Sequence, residues 1–173
     1  MDLNEILKNT KIMTGPFPEQ ELSLPENPFQ LFEEWYRHAY DSDVKEPNSK
    51  VLSTVAQNNT PDSRVVLLKA VDDQSFYFET GKLRSKVTQL NHNSNAALNF
   101  YWREHGRQIR VTGTAVIADD ISHVSDNLDA AVRDLNAYRL SPLSFEFYQS
   151  LNAGGYSRIL CTMNDSSWTV EWL

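Results

Sequence analysis

The chain has 173 residues, 40% hydrophobic and 23% charged, with 23 acidic against 16 basic residues and a formal net charge of −7. That length suits one domain able to bury roughly 70% of its unfolded surface, and the acidic balance argues against a general nucleic-acid binder, whose footprint is basic. No apolar run nears the ~20 residues of a membrane span, the start MDLNEILKNTKIMTG lacks a signal-peptide pattern, and Cys161 stands alone, so no membrane partner and a reducing, cytoplasmic setting are expected.

Residues 1–27 are polar, proline-bearing and aperiodic, and read as an arm ordered only where it docks. In NPFQLFEEWYRHAYDSD, Phe29, Phe32, Trp35, Tyr36 and Ala39 recur at helical spacing, with Asn27 as N-cap and Pro28 at the first helical position. This is a helix with an aromatic face for a sheet. KVLSTVAQ and SRVVLLKAV, joined by NNTPD, form a hairpin, and SFYFET is a third strand. GKLRSKVTQLNHNSN switches period, Val87 and Leu90 marking a short helix. AALNFYW and RQIRVTGTAVIA are strands on either side of REHG. Val124, Leu128, Val132 and Leu135 are spaced as an amphipathic helix. LSFEFYQ, SRILCTM and WTVEWL close the chain as short β elements.

The pattern predicts a single, mainly β domain with peripheral helices, six to eight strands closing into a barrel. In SRVVLLK the two-residue period of a strand sends Arg64, Val66 and Leu68 one way and Val65, Leu67 and Lys69 the other. Each face is apolar apart from one cation. Cover is therefore expected on both, from the barrel interior on one side and a helix or second subunit on the other.

His38, His92, His105 and His123 show no metal-binding spacing, so no metal is expected, and neither a Gly-x-Ser-x-Gly turn nor a phosphate loop occurs. Any bound anion must then be held by a local cluster among Arg64, Arg84, Lys86, Arg107, Arg110 and Arg158. Arg84-Ser85-Lys86 falls where a strand gives way to a helix, and there free N–H groups and the helix dipole already favour an anion. In GRQIRVTG, Gln108 shares a face with Arg110, and its amide offers a donor and an acceptor together, suited to the edge of a heterocycle.

The order and spacing of NPFQLFEEW, SRVVLLK, FET, RSKVTQLNHN, FYW, RQIRVTG, EFYQSLNAGGYSR and WTVEWL resemble the pyridoxine/pyridoxamine 5′-phosphate oxidase family. The resemblance implies an FMN-binding split β-barrel, a homodimer with FMN at the subunit interface, and an oxidoreductase acting on a small molecule. By position it implies that Arg64 and Lys86 contact the FMN phosphate, with Arg84 and Ser85 beside them and Thr80 adding a hydroxyl. Val65, Val66 and Leu67 run beside the ring system, Lys69 reaches the junction of flavin and substrate, and Gln108, Tyr148 and Arg158 contact the flavin. Tyr156 borders the substrate pocket.

Departures from the family concern the substrate. Its Tyr-Thr pair is Glu79-Thr80 here, and its Arg-x-His is Gly154-Gly155-Tyr156. The substrate-binding central segment is not recognisable in residues 114–142, and the arm lacks the family's Arg-x-x-Tyr. The expectation is an FMN-dependent oxidoreductase with its flavin site kept and its vitamin-phosphate site largely lost. The alternatives are a genuine pyridoxamine 5′-phosphate oxidase with rebuilt contacts, a non-catalytic flavin carrier, or a scaffold without flavin, for which a carboxylate at Glu79 is the argument.

Overall fold

The computed structural model describes residues 2–42, 44–129 and 134–173. A short helix α1 (Leu3–Lys8) begins the arm, and helix α2 (Pro28–Tyr40) follows it, capped by the Asn27 side chain, which accepts from the Phe29 N–H. The strands are β1 (Ser49–Val55), β2 (Pro61–Leu67), β3 (Ala70–Val71), β4 (Phe76–Gly81), β5 (Asn95–Trp102), β6 (Arg107–Ile117), β7 (Leu135–Ser150), β8 (Tyr156–Asn164) and β9 (Ser167–Trp172), with helix α3 (Ser85–His92) between β4 and β5. No helix among the described residues is long and apolar enough to cross a membrane.

The strands form one antiparallel sheet in the order β2-β1-β5-β6-β7-β4-β3, with β8 added along β7 and β9 along β8. Strand β7 is the hinge of this arrangement. It pairs with β6 along most of its length, with β4 through Leu135–Leu140 and with β8 through Ser144–Ser150. Its two halves meet where the β6–β7 register shifts at Thr112/Gly113, opposite Pro142. Proline has no N–H for the ladder, and a Cβ at Gly113 would lie 2.1 Å from the Ser141 carbonyl oxygen. Glycine and proline together therefore produce the bulge that bends the sheet.

The expected closed barrel is a split one, because the sheet curls without closing. Strands β2 and β4 approach each other with no ladder between them. The chain crosses this seam at Leu68–Lys69: the Leu68 amide donates to the Asn48 carbonyl on the β1 side, and the Lys69 amide donates to the Tyr77 carbonyl on the β4 side. That crossing divides the predicted strand SRVVLLKAV into β2 and β3 and raises the strand count among the described residues to nine. The predicted alternation holds within β2: Val66 and Leu68 are buried, while Val65 and Leu67 are 64% and 42% exposed.

The core lies between α2 and the inner face of the sheet. Phe32 of α2 packs edge-on to Phe76 and Phe100, and Trp35 edge-on to Phe147. Burying each such side chain is worth about 1.5–3 kcal/mol. One residue breaks the pattern. Lys50, on the inward side of β1 with Leu52 and Thr54, is only 2% exposed, its Nζ has no hydrogen-bond partner, and desolvation pulls it down to about 6.

The amphipathic helix expected at Val124–Leu135 is not observed in the described part of that segment. Ser125–Asn127 form a 3₁₀ turn, Leu135 opens β7, and Val132 lies outside the described residues. Val124 and Leu128 are buried with Ala70, Tyr77 and Ala137 in a small second core. The apolar spacing reports burial against the sheet, not helical period. The arm contacts the sheet through hydrogen bonds: Leu22 N–H donates to Ser157 Oγ, Asn152 N–H to the Pro18 carbonyl and Gln149 Nε2 to the Gln20 carbonyl.

Candidate functional site

The open seam between β2 and β4 is where the predicted phosphate residues meet. Arg64 comes from β2, Thr80 from β4, and Arg84, Ser85 and Lys86 from the turn into α3. Arg84 occupies the N-cap of α3 and makes no side-chain cap hydrogen bond. The first turn thus lacks a side-chain acceptor at its cap, an arrangement that favours an anion there, although the Val87 N–H is already taken by the Arg84 carbonyl. Lys86 Nζ donates to the buried Thr80 Oγ1 at 3.2 Å. Desolvation holds the Lys86 ammonium below its ordinary range, and the neighbouring Arg64 and Arg84 add to the effect.

Arg64 is fixed rather than free. Its Nη1 donates to Thr54 Oγ1 at 2.6 Å and its Nη2 to Gln89 Oε1 at 3.0 Å, and it lies 2.6 Å from Asp62. Thr54 also donates to Gln89 Oε1, and Gln89 Nε2 donates to Asp62 Oδ2. Sequence reasoning missed Thr54, Asp62 and Gln89 in this role. The signals were present: Thr54 and Asp62 face each other in the β1–β2 register, and Gln89 sits one turn after Lys86 on α3.

Glu79 and Thr80 are consecutive in β4 and point to opposite faces. Thr80 carries Lys86, whereas the Glu79 side chain, 4% exposed, lies 3.5 Å from Lys69 Nζ. Asp129 completes that group at 3.1 Å from the same ammonium, and its hydrogen bond holds Lys69 above its ordinary range. The carboxylate that argued against a phosphate site thus points away from it.

Gln108, Tyr148 and Arg158 form a row across β6, β7 and β8, consecutive partners in the ladder. They lie on the sheet face opposite the core, because their neighbours Ile109, Phe147 and Ile159 are fully buried. Gln108 Nε2 donates to Asn99 Oδ1 at 2.6 Å, Tyr148 stacks on Tyr156 with centroids 5.4 Å apart, and Arg158 Nε donates to Glu146 at 2.7 Å. Arg110 also pairs with Glu146. The chain therefore assembles three separate groups: the α3 cluster, the Lys69 carboxylates and the outward row. The turn that replaces the family's Arg-x-His runs through Gly154 and Gly155 at φ +91° and +83°, a region that suits glycine and strains an L side chain.

Two histidine contacts were not anticipated. The rings of His38 and His105 lie 4.4 Å apart, and His123 joins Tyr77 at the Asp72 carboxylate.

Comparison with known proteins places this arrangement. Residues 37–142 match the family described as pyridoxamine 5′-phosphate oxidase. A pyridoxine/pyridoxamine 5′-phosphate oxidase of Burkholderia mallei is 32% identical over 180 residues, covering 82% of this chain and 84% of that protein. A pyridoxine/pyridoxamine 5′-phosphate oxidase 2 of Hydrogenovibrio crunogenus is 29% identical, covering 88% and 91%. Among solved structures, PhzG from Burkholderia lata, in complex with tetrahydrophenazine-1-carboxylic acid, matches at 23% identity with a TM-score of 0.74, covering 86% of this chain and 93% of that one. A pyridoxamine 5′-phosphate oxidase-related, FMN-binding protein of Nostoc punctiforme matches at 20% identity and a TM-score of 0.69, covering 84% and 96%. The fold is the split barrel of these proteins. The chain belongs to the pyridoxamine 5′-phosphate oxidase family.

Proposed function

We propose that the protein is an FMN-dependent oxidoreductase that holds the FMN phosphate at the start of α3 and acts on a substrate other than a vitamin phosphate. The crowding of positive charge at Lys86 carries this reading. In a chain of net charge −7, Arg64, Arg84 and Lys86 are gathered at one helix start, and the lysine is held below its ordinary range there by desolvation first and by the two arginines second. A bound dianion relieves that repulsion, and each charge-assisted bond to it is worth roughly 1.5–3 kcal/mol. Arg64 and Lys86 would take the phosphate, with Thr80 and Ser85 beside them. Lys69 would stand at the flavin–substrate junction.

Gln108, Tyr148 and Arg158 lie on a different face from the α3 cluster. A homodimer accounts for that separation, since a second copy would cover the exposed Val65 and Leu67 and bring its own outward row to the flavin. FMN when bound supplies the two-electron chemistry, and the protein supplies binding, orientation and electrostatics. The loss of the family's Arg-x-His at Gly154-Gly155-Tyr156 supports a changed substrate. We place the protein in the cytoplasm.

The first test is the visible spectrum of the purified protein and the mass of what it releases. A flavin spectrum with FMN released is expected, and protein that stays colourless after incubation with FMN overturns the reading. A second reading, a genuine pyridoxamine 5′-phosphate oxidase, is favoured by the names of the relatives at 29–32% identity. Oxygen consumption with pyridoxamine and pyridoxine 5′-phosphates separates the two. We expect little turnover, and rapid turnover would establish the second reading.

A further inference from the structure

A cavity of about 530 Å³ opens between the start of α2 and the β3–β4 hairpin, lined by Lys69, Phe32, Tyr36, Glu33, Asp72 and Asp73 among others. Lys69 is the only cation among the described residues that line it. Its charge is already matched, since the ammonium lies 3.1 Å from Asp129 and 3.5 Å from the buried Glu79. Around it the balance is acidic. Glu33 is offset by Arg37 on the solvent side, and Asp72 is engaged by Tyr77 and His123. Asp73 lies exposed at the rim.

We propose that this pocket selects a cationic amine with a flat apolar body and no phosphate, and that Glu79 and Asp129 set that selection. The inference rests on the assignment of Lys69 to the flavin–substrate junction. A phosphate monoester would have to displace two carboxylates from Lys69 and approach further carboxylates at the rim, an arrangement that rejects by repulsion. An ammonium group meets the carboxylates of Glu33, Asp72 and Asp73, which attract it, beside the aromatic side chains of Phe32 and Tyr36.

Equilibrium dialysis of the full chain, as purified, against pyridoxamine, pyridoxine and pyridoxine 5′-phosphate tests this, because the three differ in ammonium and phosphate. Pyridoxamine should bind tightest, pyridoxine about 3-fold more weakly, and the phosphate ester at least ~10-fold more weakly again. In the Glu79→Gln/Asp129→Asn variant the phosphate ester should gain at least ~10-fold in affinity, as Lys69 is released to it. Since Glu79 is buried, Asp73→Asn at an exposed position gives an independent arm: pyridoxamine should weaken about 2–3-fold and pyridoxine stay unchanged. A parent protein that prefers the phosphate ester to pyridoxine, or binds none of the three at millimolar concentration, overturns the proposal. So does a folded double variant with no gain for the ester. FMN content of the same samples separates the two assignments. Protein that stays FMN-free after incubation with FMN yet keeps the ranking supports the pocket and contradicts the flavin site, and FMN-loaded protein with the ranking reversed does the converse.

Discussion

Lys86 and Lys69 are served by consecutive residues of β4, and they meet opposite surroundings. Thr80 offers Lys86 a neutral hydroxyl, and desolvation, followed by the charges of Arg64 and Arg84, holds the ammonium below its ordinary range. Glu79 and Asp129 surround Lys69 with negative charge that raises it. One lysine thus sits beside two arginines, of which Arg64 is paired with Asp62, and the other sits between two carboxylates. The period-two geometry of a strand makes this possible: two environments of opposite sign are kept apart by the thickness of one backbone. On the function proposed above, a single cofactor phosphate would answer the first environment, and the second would ask for no other.

The sharpest way to break the contrast is to remove the cations at the α3 start. Arg64→Ala combined with Lys86→Ala should weaken FMN by about 10²–10⁴-fold, from two charge-assisted bonds of roughly 1.5–3 kcal/mol each. Riboflavin, lacking the phosphate, should change less than ~3-fold. Fluorescence titration with both ligands reads the difference, and equal losses would remove the phosphate from the α3 cluster.

Lys50 sharpens the comparison as a third lysine, one lowered by desolvation. Its folded-state value of about 6 lies below its ordinary 10.5, so the unfolded chain binds the extra proton between those limits. Stability should therefore rise with pH from about 6 towards 10.5, with the full penalty present below 6. Lys50→Met, similar in volume, should stabilise the protein by ~2–4 kcal/mol at neutral pH and flatten that slope. Urea unfolding at several pH values checks both.

A smaller effect isolates positioning from charge. Gln89→Met removes the acceptor of Arg64 and Thr54 and the donor to Asp62, leaving every cation in place. FMN should weaken about 3–10-fold, with roughly 1–2 kcal/mol lost in stability. The smallest effect is that of salt. Raising ionic strength from about 0.1 to 1 M shortens the screening length from ~10 to ~3 Å, which should weaken FMN a few-fold and leave riboflavin unchanged.

Much of this was legible in the sequence where a periodic signal coincided with a chemical one. Asn27-Pro28 before an aromatic helical stripe fixed the start of α2, and alternation in β2 sorted Val66 from Val65 correctly. Arg84-Ser85-Lys86 was readable as a strand-to-helix turn, and the structure brings Arg64 and Thr80 to it. The break at Leu68–Lys69 was not readable, because it depends on two strands, β1 and β4, that are distant in sequence and pull adjacent amides to opposite sides of a seam. The Lys69–Glu79–Asp129 group was hidden for the same reason, since tertiary contact alone unites it. The spacing of Val124 and Leu128 misled, because burial on a sheet and burial on a helix both select apolar side chains.

The central claim is that the α3 cluster is a site for the phosphate of FMN. Its most direct test is the pair of dissociation constants of the flavin-stripped wild-type protein for FMN and for riboflavin. The account predicts FMN tighter by at least ~10²-fold, the contribution of two charge-assisted bonds to the phosphate. Equal affinities, or binding of neither, would contradict it.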